Sequence, residues 1–170
     1  MGLQVFIRAV NEDDLVVLEE QLNNGPKTKH QTRFERQRQG EVTYLIALVN
    51  DMPVGHVLIK WSGTQDESVS NHIKNCPDFE DLLVKDTYRR NGIGKQLLLH
   101  GEALAKQKGF RQVGLGVGTE NESAKMLYQK MGYKDSGLGE YTIGGSYIDE
   151  SGALLSWTEN CVYLIHKLTD

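Results

Sequence analysis

The residues best suited to do chemistry lie in one short turn, residues 89–94, with the sequence RRNGIG. Arg89 and Arg90 carry two permanent positive charges on forked hydrogen-bond donors. Gly92 and Gly94 have no side chain to obstruct the backbone, so peptide N–H groups can approach an anion closely. This combination predicts a cradle for a phosphate or a pyrophosphate. The alternative is that the glycines only shape a tight turn and that the arginines are solvated.

The segments on either side of this turn would position it. Residues 80–84, EDLLV, are typical of a short strand, and Ile93, Leu97 and Leu104 recur at the spacing of one helix face. A helix that begins at the turn leaves its first backbone N–H groups unpaired and presents a partial positive charge to an anion. The sequence therefore predicts a strand, an anion-binding turn and a helix in succession, with Gly109 at the end of the helix.

Two other phosphate-binding motifs fit this segment less well. A P-loop requires the pattern G-x-x-x-x-G-K-[ST], and residues 94–95 match only its second glycine and its lysine. Arg89 stands where the first glycine belongs, and Gln96 stands where the hydroxyl residue belongs. A dinucleotide-binding fingerprint requires a third glycine where this chain has Leu97. Both classes of nucleotide site are therefore disfavoured.

The chain resembles the GCN5-related N-acetyltransferases at two places. Residues 89–94 match the R/Q-x-x-G-x-G/A signature of that family and follow a strand of the right kind. Residues 121–133 begin with NESA, continue with LY and end with MGY, and they resemble the downstream motif of the same family. Two ordered motifs at family spacing are more specific than either alone. Together they cover residues 80–133.

The resemblance implies both a fold and a reaction. The implied fold is an α+β structure, an α/β/α sandwich in one domain over residues 1–170. Its mixed, mostly antiparallel central sheet would be flanked by helices, and its central strands would splay. The implied reaction is the transfer of an acetyl group from acetyl-coenzyme A to a primary amine, by direct attack in a ternary complex and without a metal. The pantetheine arm of the coenzyme would lie in the splay.

The resemblance also implies roles for individual residues. Tyr128 would act as a general acid on the coenzyme A sulfur, although its spacing from Ala124 and Met131 is also that of a core aromatic residue. Asn121 would hydrogen-bond the coenzyme arm, or would only cap a helix. A backbone N–H of the central strand, that of Val84, would polarise the thioester carbonyl. The residues implied to contact the coenzyme are Leu82, Leu83, Val84, Arg89, Arg90, Asn91, Gly92, Ile93, Gly94, Lys95, Asn121, Ser123 and Tyr128.

The general base of the resembled family is often a carboxylate on the central strand. Glu80 is the first candidate here and Asp81 is the second. In a regular strand Glu80, Leu82 and Val84 share one face, while Asp81 and Leu83 share the other. A bulge would change this register. The alternative is that the carboxylate is an ordinary charge at a sheet edge.

The rest of the chain completes the element order β-α-α-β-β-β-α-β-α-β-β. Residues 111–118, RQVGLGVG, place three glycines on one face of a strand, which leaves room for a ligand or for a closely packed helix. The polar connection 62–78 is a candidate substrate loop or the tip of a long hairpin. Residues 133–149 are rich in glycine and aromatic residues. The long C-terminal tail, with the segment 134–160, would shape the acceptor pocket or an interface such as that of a homodimer.

Length, charge and cysteine content restrict the class of protein. The 170 residues carry a formal charge of −4 and a pI near 5.7, which disfavours binding to nucleic acid or to an anionic membrane. This charge is compatible with an amine acceptor. Cys76 and Cys161 have no metal-binding spacing, and neither a signal peptide nor a spanning segment is evident. We therefore expect free thiols and a cytoplasmic location.

Three functions remain open at this point. The first is an N-acetyltransferase for a small-molecule amine, and the second is the same chemistry on a peptide amine, either a protein N-terminus or a lysine. The third is a non-catalytic acyl-coenzyme A sensor that keeps the cradle. The presence of both Tyr128 and a strand carboxylate favours an enzyme.

Overall fold

A computed structural model describes residues 2–169, and its strands form one eight-stranded sheet. The order across the sheet is β1-β2-β3-β4-β5-β8-β6, and β7 pairs with β8 outside this path. β4 and β5 are parallel to each other, and the other neighbouring pairs are antiparallel. The strands are β1 (Phe6–Ala9), β2 (Val42–Val49), β3 (Met52–Lys60), β4 (Asp78–Val84), β5 (Gln112–Gly118), β6 (Lys134–Asp135), β7 (Tyr141–Ile148) and β8 (Leu154–Lys167).

Helices cover the sheet on both faces, which confirms the α/β/α sandwich. The helices are α1 (Leu15–Gln21), α2 (Lys29–Arg38), α3 (Glu67–Ser70), α4 (Ile93–Gln107) and α5 (Glu122–Lys130). On the α1/α2 face, Leu18 packs with Tyr44 and Ile46 of β2. On the α4/α5 face, Leu97 and Tyr128 pack with strand residues such as Ile59.

Two short elements were not predicted from the sequence. The connection 62–78 contains α3, whose first turn is capped by Asp66 because its carboxylate accepts the Ser68 N–H at 2.9 Å. β6 consists of two residues that pair with β8. Both elements are too short to show a periodic apolar pattern. Within residues 2–169, no helix combines the length and the apolar composition needed to cross a membrane.

The central strands of the sheet splay, as expected. The ladder between β4 and β5 consists of the pairs Asp78–Gly114 and Phe79–Leu115. Beyond these pairs β4 continues to Val84 and β5 to Gly118. Within residues 2–169 the two strands have no further pairing along this length. A wedge-shaped space between them, the β4–β5 gap, therefore opens toward the start of α4.

The predicted regular register of β4 is wrong, because the strand contains a bulge. Leu58 of β3 pairs with Glu80, but His56 pairs with Leu83, so β4 has one more residue than β3 over this interval. Asp81 lies within the interval and has a φ of +51°, in the left-handed region. A single residue in that conformation is typical of a β-bulge and turns the strand.

The bulge reverses which side chains share a face. Glu80 lies opposite Leu58 on the α1/α2 face, while Leu82 and Val84 pack against the core of the α4/α5 face. Leu83 lies on the same face as Glu80. The expectation that Glu80, Leu82 and Val84 share one face is therefore incorrect.

Candidate active site

The turn that was predicted to bind an anion has a left-handed conformation and leads into α4. Gly92 is the residue before the helix and has a φ of +74°, and Arg90 has a φ of +66°. A Cβ at Gly92 would meet nothing within 4 Å, so glycine is needed there for the backbone conformation rather than for space. The first N–H groups of α4 open at this turn and can bind an anion.

Gly94 has a different role, because its Cα faces the mouth of the β4–β5 gap. A Cβ at Gly94 would lie 3.5 Å from Leu127, 3.7 Å from Leu82 and 3.9 Å from Val84, which are ordinary contact distances. Packing within the chain therefore does not require glycine at this position. A methyl group would fit at this position between α5 and β4.

The side chains of the turn are exposed and make only weak interactions with the rest of the chain. Arg89 Nη2 lies 3.1 Å from Asp86 Oδ1, and Arg89 Nε donates to Val84 O at 3.4 Å. Both partners of this ion pair are largely exposed, so the pair contributes little and the arginine is free to turn toward a phosphate. Asn91 Nδ2 donates to Tyr88 O at 3.0 Å and stabilises the turn itself. Lys95 is exposed on the first turn of α4.

The edge of β4 directs alternate N–H groups into the β4–β5 gap. Lys85 N–H donates to Val54 O of β3 at 2.8 Å. Because successive N–H groups of a strand point to opposite sides, the N–H groups of Val84 and Leu82 point away from β3 and into the gap. The backbone N–H and C=O groups of Leu83 point toward β3, where Leu83 pairs with His56. Val84 and Leu82 therefore offer the backbone pairing that a strand-like ligand would use.

Tyr128 lies on α5 within the core of the α4/α5 face. Its ring centroid is 5.9 Å from that of Tyr133, and its hydroxyl makes no hydrogen bond to another group among residues 2–169. Burial raises the pKa of Tyr128 to about 12, so the hydroxyl keeps its proton at neutral pH. The side chain is thus both a core aromatic residue and a proton donor that is free for a ligand.

Asn121 is the N-cap of α5, and the exposed Ser123 follows it in the first turn. Asn121 Oδ1 accepts the Ala124 N–H at 3.2 Å. The capping bond uses only the oxygen of the amide, so the Nδ2 group can still donate to another molecule. The two roles predicted for Asn121 are therefore compatible.

Glu80 lies on the α1/α2 face beside residues that the sequence analysis missed. Lys60 Nζ is 3.3 Å from Glu80 Oε1, and the Glu80 side chain is 39% exposed. Asp78 is buried one step back along the same strand face, where Tyr163 Oη donates to Asp78 Oδ1 at 2.8 Å. The i, i+2 spacing of Asp78 and Glu80 would have placed both on one face if the strand had been predicted to begin at Asp78.

Asp81, the second candidate base, is held by cations of α2. Its Oδ2 lies 2.9 Å from Arg33 Nη2 and 3.3 Å from Lys29 Nζ. Burial alone would raise the pKa of Asp81, but the nearby His56, Arg33 and Lys29 hold it below the usual range. His56 is fully buried, and its Nδ1–H donates to Asp81 O at 3.0 Å. These contacts give Asp81 a structural role in the bulge.

The glycine face of β5 is covered by side chains from β7 and β8, and not by a helix. A Cβ at Gly114 would lie 2.5 Å from the Tyr163 ring, and one at Gly116 would lie 2.5 Å from Tyr141 Oη. The Glu159 carboxylate lies directly over Gly118. The glycines therefore make room for polar and aromatic side chains on the α1/α2 face, at the end of the sheet where the strands splay.

The hairpin of β7 and β8 reaches across to the helices of the same face. Lys27 N–H donates to Ile148 O at 3.0 Å. The Glu19 side chain of α1 contacts that of Glu150, and burial together with this second carboxylate raises the pKa of Glu19 to about 7. The hairpin tip therefore contacts both α1 and the α1–α2 connection.

Solved structures share this fold over nearly the whole chain. An N-acetyltransferase from Staphylococcus aureus Mu50 superposes with a TM-score of 0.72 at 20% identity, over 98% of this chain and 99% of that one. The PaiA N-acetyltransferase from Thermoplasma acidophilum, solved in complex with coenzyme A, gives a TM-score of 0.67 at 19% identity, over 97% and 99% of the two chains. These similarities confirm the fold.

Sequence comparison identifies the family. A protein from Arabidopsis thaliana named GCN5-related N-acetyltransferase 4, chloroplastic, is 39% identical over 54 residues. That match covers 32% of this chain and 19% of the relative, so it spans only a small part of the longer protein. The profile of the acetyltransferase (GNAT) family matches residues 10–133, which include the cradle, Glu80 and Tyr128. This chain therefore belongs to the acetyltransferase (GNAT) family.

Proposed function

We propose that this protein is an acetyl-coenzyme A-dependent N-acetyltransferase in which a primary amine attacks the acetyl group directly, in a ternary complex. One observation carries the proposal: the β4–β5 gap has an anion cradle at its mouth and candidate catalytic groups on its two faces. Glu80 lies on the α1/α2 face and Tyr128 on the α4/α5 face. Two reactants could thus meet in the gap from opposite sides.

The residues around the gap fit the coenzyme. Bound acetyl-coenzyme A supplies the acetyl group as a thioester. The first N–H groups of α4 bind its pyrophosphate, with Arg89 and Arg90 adding positive charge. The gap-facing N–H groups of Leu82 and Val84 pair with the amide groups of the pantetheine arm, and Asn121 donates its Nδ2–H to the same arm.

The chain supplies the proton transfers. An alkylammonium ion is mostly protonated at neutral pH and must lose a proton before it can attack. Glu80 accepts this proton, directly or through a water molecule. Val84 N–H stabilises the charge that develops on the carbonyl oxygen. Tyr128 donates a proton to the departing sulfur. Much of the rate enhancement comes from holding both reactants in position.

Direct attack is favoured over an acetyl-enzyme intermediate on a cysteine. Burial raises the pKa of Cys76 to about 12 and that of Cys161 to about 11. Both thiols are buried, and a thiol that stays protonated is a poor nucleophile. Neither cysteine is therefore suited to carry the acetyl group.

We propose a small amine as the first acceptor to test, and a protein N-terminus or a lysine side chain as the second. The hairpin tip is joined to the α1–α2 connection by the hydrogen bond from Lys27 N–H to Ile148 O. The presence of both Glu80 and Tyr128 favours an enzyme over a sensor.

A panel of small amines, polyamines and peptides tests the proposal. We expect release of coenzyme A, and an acetylated product by mass spectrometry, with at least one small amine. Release with peptides alone would indicate a polypeptide acceptor. If acetyl-coenzyme A raises the melting temperature but no amine is acetylated, the protein is a sensor and the proposed reaction is wrong.

A further inference from the structure

Asp78 and Glu80 form a pair of carboxyl groups on one face of β4. In the register with β3, Asp78 lies opposite Lys60 and Glu80 lies opposite Leu58. Both side chains lie on the same face of β4 two residues apart, and the Glu80 carboxylate raises the pKa of Asp78 by its charge and by hydrogen bonding. Two neighbouring carboxylates repel each other, and a hydrogen bond between them requires a proton on one of the two. This arrangement therefore favours a single proton on the pair.

The surroundings place this proton on Asp78. Asp78 is only 3% exposed, whereas the Glu80 side chain is 39% exposed and has Lys60 Nζ at 3.3 Å to stabilise its charge. Burial and then the charge of Glu80 raise the pKa of Asp78 well above its usual range. The hydrogen bond from Tyr163 and the charge of Lys60 act in the opposite direction without cancelling this shift.

The neighbouring strands hold the Asp78 side chain in place. Tyr163 of β8 reaches over the bare face of Gly114 to donate to Asp78 Oδ1 at 2.8 Å. Gly114 is the β5 partner of Asp78, and any side chain there would displace the Tyr163 ring. The other titratable groups near Asp78 are Lys60, the buried Cys76 and the half-buried Tyr141. Lys60 is the one cation among these neighbours, and its ion pair is with Glu80.

We propose that Asp78 is a positioning residue for the acetyl transfer: it stays protonated at neutral pH and donates that proton in a hydrogen bond that orients the ionised Glu80. The proposal rests on the function proposed above. The proton of the acceptor ammonium passes to a carboxylate oxygen of Glu80, and the amine nitrogen keeps the electron pair with which it attacks. Glu80 then releases the proton to solvent, to which its side chain is partly exposed. Asp78 keeps its own proton throughout.

Two substitutions with different hydrogen-bonding capacity test this role. Asp78→Asn stays neutral and offers an N–H to Glu80, so its turnover should remain within about threefold of wild type. Asp78→Leu is branched at the same atom as aspartate but is larger and has no donor, and the loss of a hydrogen bond to a charged group should lower turnover about ten- to a hundredfold. The acid limb of the kcat/KM profile should move to higher pH in Asp78→Leu and stay in place in Asp78→Asn.

Each outcome bears on the proposal. If Asp78→Asn loses as much activity as Glu80→Gln, Asp78 is ionised and takes the proton itself, and the proposal is wrong. If the acid limb of Asp78→Leu coincides with that of wild type, Asp78 only supports the fold. An unchanged rise in melting temperature with acetyl-coenzyme A verifies that each variant is folded. Asp78→Ala, which creates no overpacking, replaces the leucine variant if the latter does not fold.

Infrared spectroscopy separates this proposal from the proposed function. At neutral pH the wild-type protein should show the C=O stretch of a protonated carboxyl group that is absent from Asp78→Asn. This result does not depend on turnover. If the band is present but no amine is acetylated, the proposed function is wrong, and only the protonation of Asp78 is confirmed. If amines are acetylated but the band is missing, Asp78 is ionised and the positioning role is wrong.

Discussion

Arg33 Nη2 of α2 lies 2.9 Å from Asp81 Oδ2, and this contact ties a helix to the bulge at the edge of the β4–β5 gap. Lys29 adds a second contact to the same oxygen at 3.3 Å. The bulge residue has a positive φ, which costs free energy for a residue other than glycine. The two cations stabilise the side chain of the residue that adopts this conformation.

The two carboxylates at the bulge should respond differently to neutralisation. Glu80→Gln should lower turnover at neutral pH about a hundredfold, the scale of general base catalysis, with partial recovery at high pH where the amine is already deprotonated. Asp81→Asn should change turnover less, because the Asp81 carboxylate is already paired with two cations.

Measurements of turnover against pH and of unfolding by urea distinguish these two variants. Asp81→Asn should lower the free energy of unfolding by about 1–3 kcal/mol, less than for a fully buried pair because the Asp81 side chain is 35% exposed. Asparagine tolerates a positive φ, so the backbone should not add to this loss. A larger loss of turnover in Asp81→Asn than in Glu80→Gln, with stability unchanged, would make Asp81 the base.

Tyr128→Phe should keep the affinity for acetyl-coenzyme A and lower turnover about ten- to a thousandfold. The ring continues to pack in the core, and only the proton donor is lost. Burial raises the pKa of Tyr128 to about 12. Loss of its proton should therefore not lower the turnover of the wild-type protein below pH 10 or so. Steady-state kinetics and calorimetric titration of the coenzyme test this. Unchanged turnover across the pH range would leave Tyr128 as a packing residue alone.

Two substitutions of Gly94 should have different effects on coenzyme binding. In the free protein the methyl group of Gly94→Ala meets ordinary contacts, and alanine in a helix is favoured over glycine by about 0.5–1 kcal/mol, so stability should be equal or higher. The affinity of Gly94→Ala for acetyl-coenzyme A should change little, because the signature R/Q-x-x-G-x-G/A admits alanine at this position. Gly94→Asp adds a like charge and should abolish the rise in melting temperature caused by the coenzyme. A normal rise in Gly94→Asp would show that the cradle is misplaced.

The sequence predicted the cradle because residues 89–94 are contiguous and their chemistry is local. The bulge could not be predicted in the same way, since the cations that hold Asp81 come from Arg33 and Lys29, 48 and 52 residues earlier in the chain. The glycines of β5 were recognised as a bare face. Their neighbours, Tyr163 and Tyr141 among them, are supplied by strand pairing at long range.

Asp78 was missed for a different reason. The apolar pattern of β4 becomes clear only after Glu80, so the sequence predicts a strand that begins there and a preceding loop that includes Asp78. Its burial depends on Tyr163, which is 85 residues away in the sequence. A charged residue at the start of a strand gives no local signal that it is buried.

His30 should make the protein less stable in acid. Its Nε2–H donates to Leu22 O at 2.7 Å and its Nδ1 accepts from Tyr44 Oη at 2.8 Å, both in a buried site. Burial lowers the pKa of His30 to about 4 from an ordinary 6.5, so the unfolded chain binds this proton first as pH falls. The stabilisation is therefore complete above pH 6.5 or so and is lost as pH falls toward 4, about 3 kcal/mol in all.

Urea unfolding at a series of pH values tests the role of His30. His30→Gln should reduce the fall in unfolding free energy between neutral and acid pH, because glutamine has no proton to take up. His72→Gln is the matched control, since His72 is exposed, and it should leave the wild-type pH dependence intact. If the free energy of unfolding falls equally with pH in wild type and in His30→Gln, His30 does not cause the loss of stability in acid.

A single-turnover experiment tests direct acetyl transfer most simply. Protein in excess over acetyl-coenzyme A is mixed with a reactive amine, and samples quenched at successive times are analysed for acetylated amine, free coenzyme A and acetylated protein. Direct attack in the β4–β5 gap predicts that acetylated amine and free coenzyme A appear at the same rate, with no acetyl group on the protein. Free coenzyme A that appears first, together with acetylated protein that then decays into product, would contradict it.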